Sequence, residues 1–443
     1  MNYKEFNRYA KELLSLTLPM IMGGIGFAFI FVGDVFVAAR YDTDVLAAVS
    51  ISGAITSIIF MFGIGMLSSV SAYLSNRLGA KKSAKSYLFP SIKFAEILAF
   101  ISFLMIIAVI PFFEKMGFEE KLIPMMNTYT FIFAFSTFGD YLFKTMKEFF
   151  QSYKIVFIPN LIVILAIFVN LSANWILAFG VGPFPELGEA GLAIATVISR
   201  MFMGLSILFF YFYKFKLKIV KKAYTNYYKG MIEIGLPISL AVCIEFLAFN
   251  IITVFMGRIN GIYSAAASIL IAIINTTFMV PLSVSIATTI KVGYSNGAKN
   301  LIDIKRYSVV SCIISEIFML LCGIIIAIFP IQIIKLFTSD TELIKIMIPI
   351  MILLAIFEIT DGLQVTLSGI FKGLKDTKIV MITNFISYLV IGLPIGTYFA
   401  IIKSQNLFGF WIGLCITSVL LCIVFWIKLF TKFKKLELEF KKL

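Results

Sequence analysis

Three carboxylates stand where carboxylates are costly. Asp34 follows an uncharged run over residues 13–33, long enough at 1.5 Å per residue to cross a hydrocarbon core of about 30 Å. A charge there costs about 2.5–3.5 kcal/mol on insertion scales, so it should face protein or a water-filled cavity. Asp34 reads either as an ion or substrate site or, because Arg40 and Asp42 follow closely, as an interfacial residue at an early helix end. Glu245 lies among Cys243, Ile244, Phe246 and Leu247, about two turns after Pro237. Asp361, with Glu358 and Gly362, interrupts another apolar run. Two carboxylates on different helices of one half can hold a Na⁺ or share a proton, since oxygen ligands suit a hard cation. Alternatively, a neighbouring hydroxyl or amide satisfies each one separately.

The other charges inside apolar runs read as structural. Lys93 and Glu96 can pair at i, i+3, and Asp140 and Lys144 at i, i+4. Glu316 can snorkel or pair with Arg306, and Arg200, deep in its run, calls for an acidic partner. The chain has no histidine, which removes the commonest metal ligand and the usual proton shuttle. Five cysteines (Cys243, Cys312, Cys322, Cys415 and Cys422) sit in apolar runs without CxxC spacing and read as small core residues. With no metal-ligand cluster and no nucleophile motif, an enzyme finds no support, and no cofactor is expected.

These residues must be held by membrane helices. The 443 residues are 60% hydrophobic and 14% charged, against about 25% charged in soluble domains, and the mean hydropathy is +1.00. Uncharged runs give twelve spans, at about 13–39, 45–76, 87–113, 122–146, 155–180, 189–213, 230–256, 260–290, 307–334, 345–371, 379–402 and 405–429. The first run is too long for a signal-peptide core and should remain as an anchor. The net charge of +14 comes from lysines in short loops and does not point to nucleic acid. One set of alternate loops, including 77–86, 144–154, 214–229, 291–306 and both tails, carries 29 basic residues against 7 on the other side. The positive-inside rule then makes both termini cytoplasmic, in a multi-pass protein of the cell inner membrane.

The chain repeats. At a spacing of 218, Leu18 and Pro19 match Leu236 and Pro237, Arg40 matches Arg258, Ala47, Ala48 and Ser50 match Ala265, Ala266 and Ser268, and Gly79, Ala80 and Lys81 match Gly297, Ala298 and Lys299. Lys154, Ile155, Val156 and Asn160 match Lys378, Ile379, Val380 and Asn384 at 224. The expected organisation is an N-lobe of six helices (1–213), a cytoplasmic basic linker (214–229), a C-lobe of six helices (230–430) and a cytoplasmic tail (431–443). Six spans per half is even, so the halves run in the same direction, pseudo-symmetric around a central cleft, as in transporters with parallel repeats. No GxxxxGK[ST] loop is present to bind ATP, so transport would draw on an ion gradient.

The residues resemble those of the multidrug and toxic compound extrusion (MATE) transporters, within them the NorM branch. The resemblance covers essentially the whole chain: LTLPMI from Leu16, GDVFVAAR from Gly33, LAAVSIS from Leu46, PELGEAGLAIAT from Pro185, KVGYSNGAKN from Lys291, FKGLKDTK from Phe371 and IGLPIG from Ile391. It implies an all-α fold of twelve transmembrane helices and export of lipophilic, often cationic drugs in exchange for Na⁺ or H⁺, by a monomer embedded in membrane lipid. It places Asp34 as the first-helix aspartate, Asn170, Asn174 and Thr196 as its polar neighbours, and Glu245 and Asp361 as the acidic pair of the second lobe, a possible Na⁺ site. Some relatives have a tyrosine one turn before that aspartate. Phe357 stands here and offers no oxygen. A lipid-linked oligosaccharide flippase of related fold is the alternative, although its cavity should be more strongly charged.

Overall fold

The computed structural model describes residues 1–215, 225–259, 261–403 and 405–441, so most of the basic stretch over residues 214–229 lies outside the described residues. The described residues are helical, with no strand among them. In chain order the helices are α1 (Tyr3–Tyr41), α2 (Thr43–Leu67), α3 (Ser69–Gly79), α4 (Leu88–Val109), α5 (Ile123–Ala134), α6 (Ser136–Ser152), α7 (Phe157–Phe179), α8 (Gly188–Phe215), α9 (Thr225–Ile259), α10 (Gly261–Gly297), α11 (Leu301–Ile328), α12 (Pro330–Lys335), α13 (Thr341–Gly373), α14 (Thr377–Asn384), α15 (Leu393–Thr397) and α16 (Asn406–Lys441). Wider π-helical turns flank α15, over Phe385–Gly392 and Tyr398–Ile402.

Eleven helical stretches are long and apolar enough to cross a membrane among the described residues. The twelfth expected span, the fourth in order, is divided into α5 and α6, which meet at Phe135. It also runs further than its hydropathy suggested. Lys144 and Lys147, expected in a loop over residues 144–154, lie within α6. That helix alternates buried Tyr141, Phe143, Met146 and Phe150 with charged Asp140, Lys144, Lys147 and Glu148, so its periodicity is helical while its mean hydropathy is low.

Local signals explain several helix ends. Asp42 separates α1 from α2 and caps the latter, its Oδ1 accepting from Asp44 N at 2.7 Å and Val45 N at 3.2 Å; Asp340 does the same for α13. Both satisfy N–H groups that a helix start leaves open. Four lysines close helices with positive φ: Lys81 (56°), Lys154 (62°), Lys299 (57°) and Lys375 (59°). In each, the lysine N–H donates to the carbonyl three residues back. After Lys154, Lys299 and Lys375 the next N–H also reaches a carbonyl five residues back, the reversal that normally selects glycine. The lysine pairs stand 218 and 221 residues apart, so the sequence repeat is repeated in backbone geometry.

The described chain forms two compact units. The first comprises Met1–Leu18, Ser75–Lys81 and Leu240–Leu443; the second comprises Pro19–Leu74 and Lys82–Ser239. The start of α1 is tied into the first unit by a polar network. Tyr9 Oη donates to Asp303 at 2.5 Å, Glu12 receives Lys291 Nζ at 2.6 Å and Tyr307 Oη at 2.5 Å, and Glu5 pairs with Arg306 at 3.0 Å. Arg306 is therefore taken by Glu5. Glu316, its expected partner, has a buried Oε1 with no hydrogen-bond partner among the described residues. In the second unit α1 packs closely on α7. A Cβ at Gly33 would fall 2.7 Å from Leu171 Cδ2, and one at Gly23 would overlap the Asn160 side chain, so glycine permits the approach.

Candidate functional site

That approach positions the first centre. Asp34, half-buried on α1, accepts at Oδ1 from Asn170 Nδ2 at 3.0 Å and Asn174 Nδ2 at 2.7 Å, both from α7. The two asparagines are one helical turn apart and also bond to each other at 3.1 Å. Thr196 of α8 faces Oδ2 at 3.5 Å, too far for more than a weak bond, and donates to Leu192 O at 3.1 Å. All three partners are buried. The amides hold one carboxylate oxygen and leave the other open to a cation or proton. Asp34 is thus a held side chain, not a residue at a frayed helix end. Tyr129, buried on α5, lies in reach of Asp34, Thr196 and Arg200.

Arg200 does not meet its expected acidic partner at contact distance among the described residues. Its guanidinium lies 4.6 Å from the Phe60 ring centre and 5.0 Å from that of Phe133, and it donates to Ser136 Oγ at 3.3 Å. Aromatic faces can hold a desolvated guanidinium in place of a carboxylate. Lys93 and Glu96 likewise form no ion pair within 4.0 Å among the described residues, and Lys93 is exposed.

The second centre lies in the other unit. Glu245 of α9 and Asp361 of α13 meet on a residue that sequence reasoning missed, Gln364. Its Nε2 donates to Asp361 Oδ1 at 3.0 Å and points at Glu245 Oε1 at 3.4 Å. Gln364 stands one turn beyond Asp361 on the same face, which was a usable signal. Tyr388, in the π-helical stretch before α15, brings its hydroxyl beside Glu245 and Asp361. That hydroxyl is buried and has no well-aligned hydrogen bond among the described residues. Glu358, fully buried one turn before Asp361, receives Thr277 Oγ1 at 2.8 Å, while its Oε2 has no partner among the described residues. Phe357 packs in a ring box with Phe249 at 6.0 Å and Trp411 at 5.8 Å. The oxygen missing at Phe357 therefore has a counterpart at Tyr388, on a different helix. Two carboxylates, an amide and a phenol offer a hard cation only oxygen ligands once the amide turns.

Comparisons with known proteins agree with this architecture. The MatE family model matches residues 19–176 and again 237–398, two segments whose starts, Pro19 and Pro237, are separated by the repeat spacing of 218. The chain is 25% identical over 423 residues to the multidrug resistance protein NorM of Photobacterium profundum, covering 92% of each chain. It is 26% identical to that of Aliivibrio fischeri, covering 95% of this chain and 96% of the relative. Among solved structures, the eukaryotic MATE transporter AtDTX14 superposes with a TM-score of 0.88 at 19% identity, over 99% of both chains. With well over half its length matched in two consecutive copies, the chain belongs to the MatE family of membrane transporters.

Proposed function

We propose that this protein is a secondary multidrug efflux transporter, exporting lipophilic, often cationic small molecules in exchange for Na⁺ or H⁺ by alternating access. The observation that carries the reading is the pair of separate acidic centres, each built on buried amides, in a chain of a transporter family. Relatives named multidrug resistance proteins support small-molecule drugs as cargo. In this reading residues 1–213 and 230–430 are the working lobes, 214–229 a cytoplasmic linker and 431–443 a cytoplasmic tail. The protein acts as a monomer in the inner membrane with both termini cytoplasmic, an orientation supported by the 29 to 7 distribution of basic residues.

Apolar and aromatic side chains supply most of the cargo affinity, and Asp34 supplies charge complementarity. A proton or Na⁺ arriving at Asp34 competes with a cationic compound for the same negative charge and favours its release. At the second centre an arriving cation must turn the Gln364 amide from its N–H face to its oxygen. That rearrangement gives the ion a structural consequence, and an ion drives transport only through different affinities for the two states.

Inside-out vesicles loaded with the protein, given Na⁺ and H⁺ gradients separately, provide the test. Ethidium accumulation under one gradient and not the other supports the reading and identifies the ion. No ethidium movement under either gradient, together with accumulation of lipid-linked precursors on deletion, favours the flippase.

A further inference from the structure

The lysines of α6 are charges that neither acidic centre uses. Lys144 Nζ lies 3.9 Å from the Phe27 ring centre, and Lys147 Nζ lies 5.5 Å from the same ring. Asp140, one turn before Lys144, and Glu148, one turn after it, are the carboxylates in electrostatic reach. Neither ammonium makes an ion pair within 4.0 Å among the described residues, and Glu148 accepts a hydrogen bond from Ser71. Phe27 lies fourteen residues past Leu13, where the uncharged run begins, about 21 Å along α1, so the ring that these lysines face belongs to the apolar part of that helix. Two like charges sharing one ring in that setting are stabilised by an anion placed between them.

The repeat supplies an independent reason to expect a ligand here. At the 218 spacing the counterpart of Glu245 is Phe27. At the 221 spacing, which Lys154 and Lys375 define, the counterparts of Asp361 and Gln364 are Asp140 and Phe143. Where one half sets Glu245 against Gln364, the other sets Phe27 against Phe143, ring centres 6.0 Å apart. The counterparts of Lys144 and Lys147 are Val365 and Ser368. The same place in the repeat thus keeps one buried acid, Asp140, but sets aromatic rings where the other unit has Glu245 and Gln364, and adds an ammonium pair one and two turns on.

We propose that Lys144, Lys147 and Phe27 form an anion-recognition site for the carboxylate of an amphiphilic cargo. Asp34 stands two turns beyond Phe27 on the same face of α1, about 10 Å away along the axis. The two poles together suit a compound with a cationic and an anionic group at that separation. The inference deepens the efflux reading, and binding measured without a gradient separates the two.

The probes are rhodamine B, which carries a free carboxylate, and its ethyl ester, which has the same rings and cation without it. Binding to the purified full-length protein is followed by fluorescence anisotropy for the native chain and the Lys144→Gln/Lys147→Gln variant. The variant should lose about tenfold or more in affinity for rhodamine B relative to its ester, as expected for removal of charge-assisted bonds. Equal loss of both dyes would assign the lysines a structural role and overturn the proposal, as would an unchanged preference. Displacement of rhodamine B by short-chain phosphatidylglycerol but not by benzoate would reassign the site to a lipid and also overturn it. Failure of ethidium transport with the tenfold carboxylate effect intact would sink the efflux reading alone.

Discussion

The two acidic centres solve one problem in different ways. Asp34 is a single carboxylate that two adjacent asparagines of one helix grip by one oxygen. Glu245 and Asp361 are two carboxylates from different helices that share one glutamine. The position 218 residues after Asp34 is Ile252, which is buried, so the repeat duplicated the scaffold without duplicating the site. A grip that holds one charge suits competition between a proton and a cationic ligand at one group. A bridge between two charges suits a cation that both must coordinate. In the proposed reading, the first centre exchanges cargo against a cation at one group and the second holds a cation between two.

Asp34→Asn tests this difference most severely. It should abolish drug resistance with expression intact, a loss of about 5–150-fold in transport if the full coupling free energy is removed; normal resistance would end the role of this centre. Next in size, Glu245→Gln and Asp361→Asn should each reduce the ion dependence of efflux, and the double variant should be little worse than the poorer single one. Residues on one shared partner couple by about 0.5–3 kcal/mol, whereas Asp34 combined with either should be additive. Additivity between Glu245 and Asp361, measured as initial efflux rates, would separate the pair.

Tyr388→Phe should act more gently, lowering Na⁺ affinity a few-fold while the thermal midpoint holds or rises. The hydroxyl has no well-aligned hydrogen bond among the described residues, so removing it relieves a desolvation cost of about 1–3 kcal/mol, and a drop in melting temperature would show that it bonds to Glu245. Smallest in its effect on the ion should be Phe357→Tyr. Its ring is fully buried in the box with Phe249 and Trp411, so an added hydroxyl without a bonding partner there costs about 1–3 kcal/mol of stability. Tighter Na⁺ binding in this variant would show that the site can be rebuilt from α13.

The parts of this picture visible in the sequence are those where residue type conflicts with surroundings. Asp34, Glu245 and Asp361 stand out because a carboxylate in an apolar run is rare, and the repeat was legible because Pro, Arg and Gly keep their spacing. Asn170, Asn174 and Thr196 entered only through the family resemblance, since such residues are unremarkable in membrane helices. Tyr388 gave no local signal. It reaches the acidic pair because the π-helical turns beside α15 carry it there, and tertiary placement of that kind has no sequence period. Lys144 and Lys147 are legible as basic residues, but positive charge at the end of an apolar run reads as the mark of a membrane boundary and places them in a loop. The helical alternation of α6 was the stronger signal.

The network at the start of α1 has a consequence for how the protein is made. Glu12 leaves the ribosome well before its partners Lys291 and Tyr307, which follow some 280 and 295 residues later. At about 5–20 residues per second, that interval lasts on the order of 15–60 seconds. Throughout it the polar head of the first helix lacks these partners, while from about halfway the rest of that helix can pack on α7. The C-terminal half therefore completes its own fold with a segment synthesised before it. A nascent chain released before α11 would carry a first helix packed along one part but missing the ties from Asp303, Arg306 and Tyr307 at its beginning.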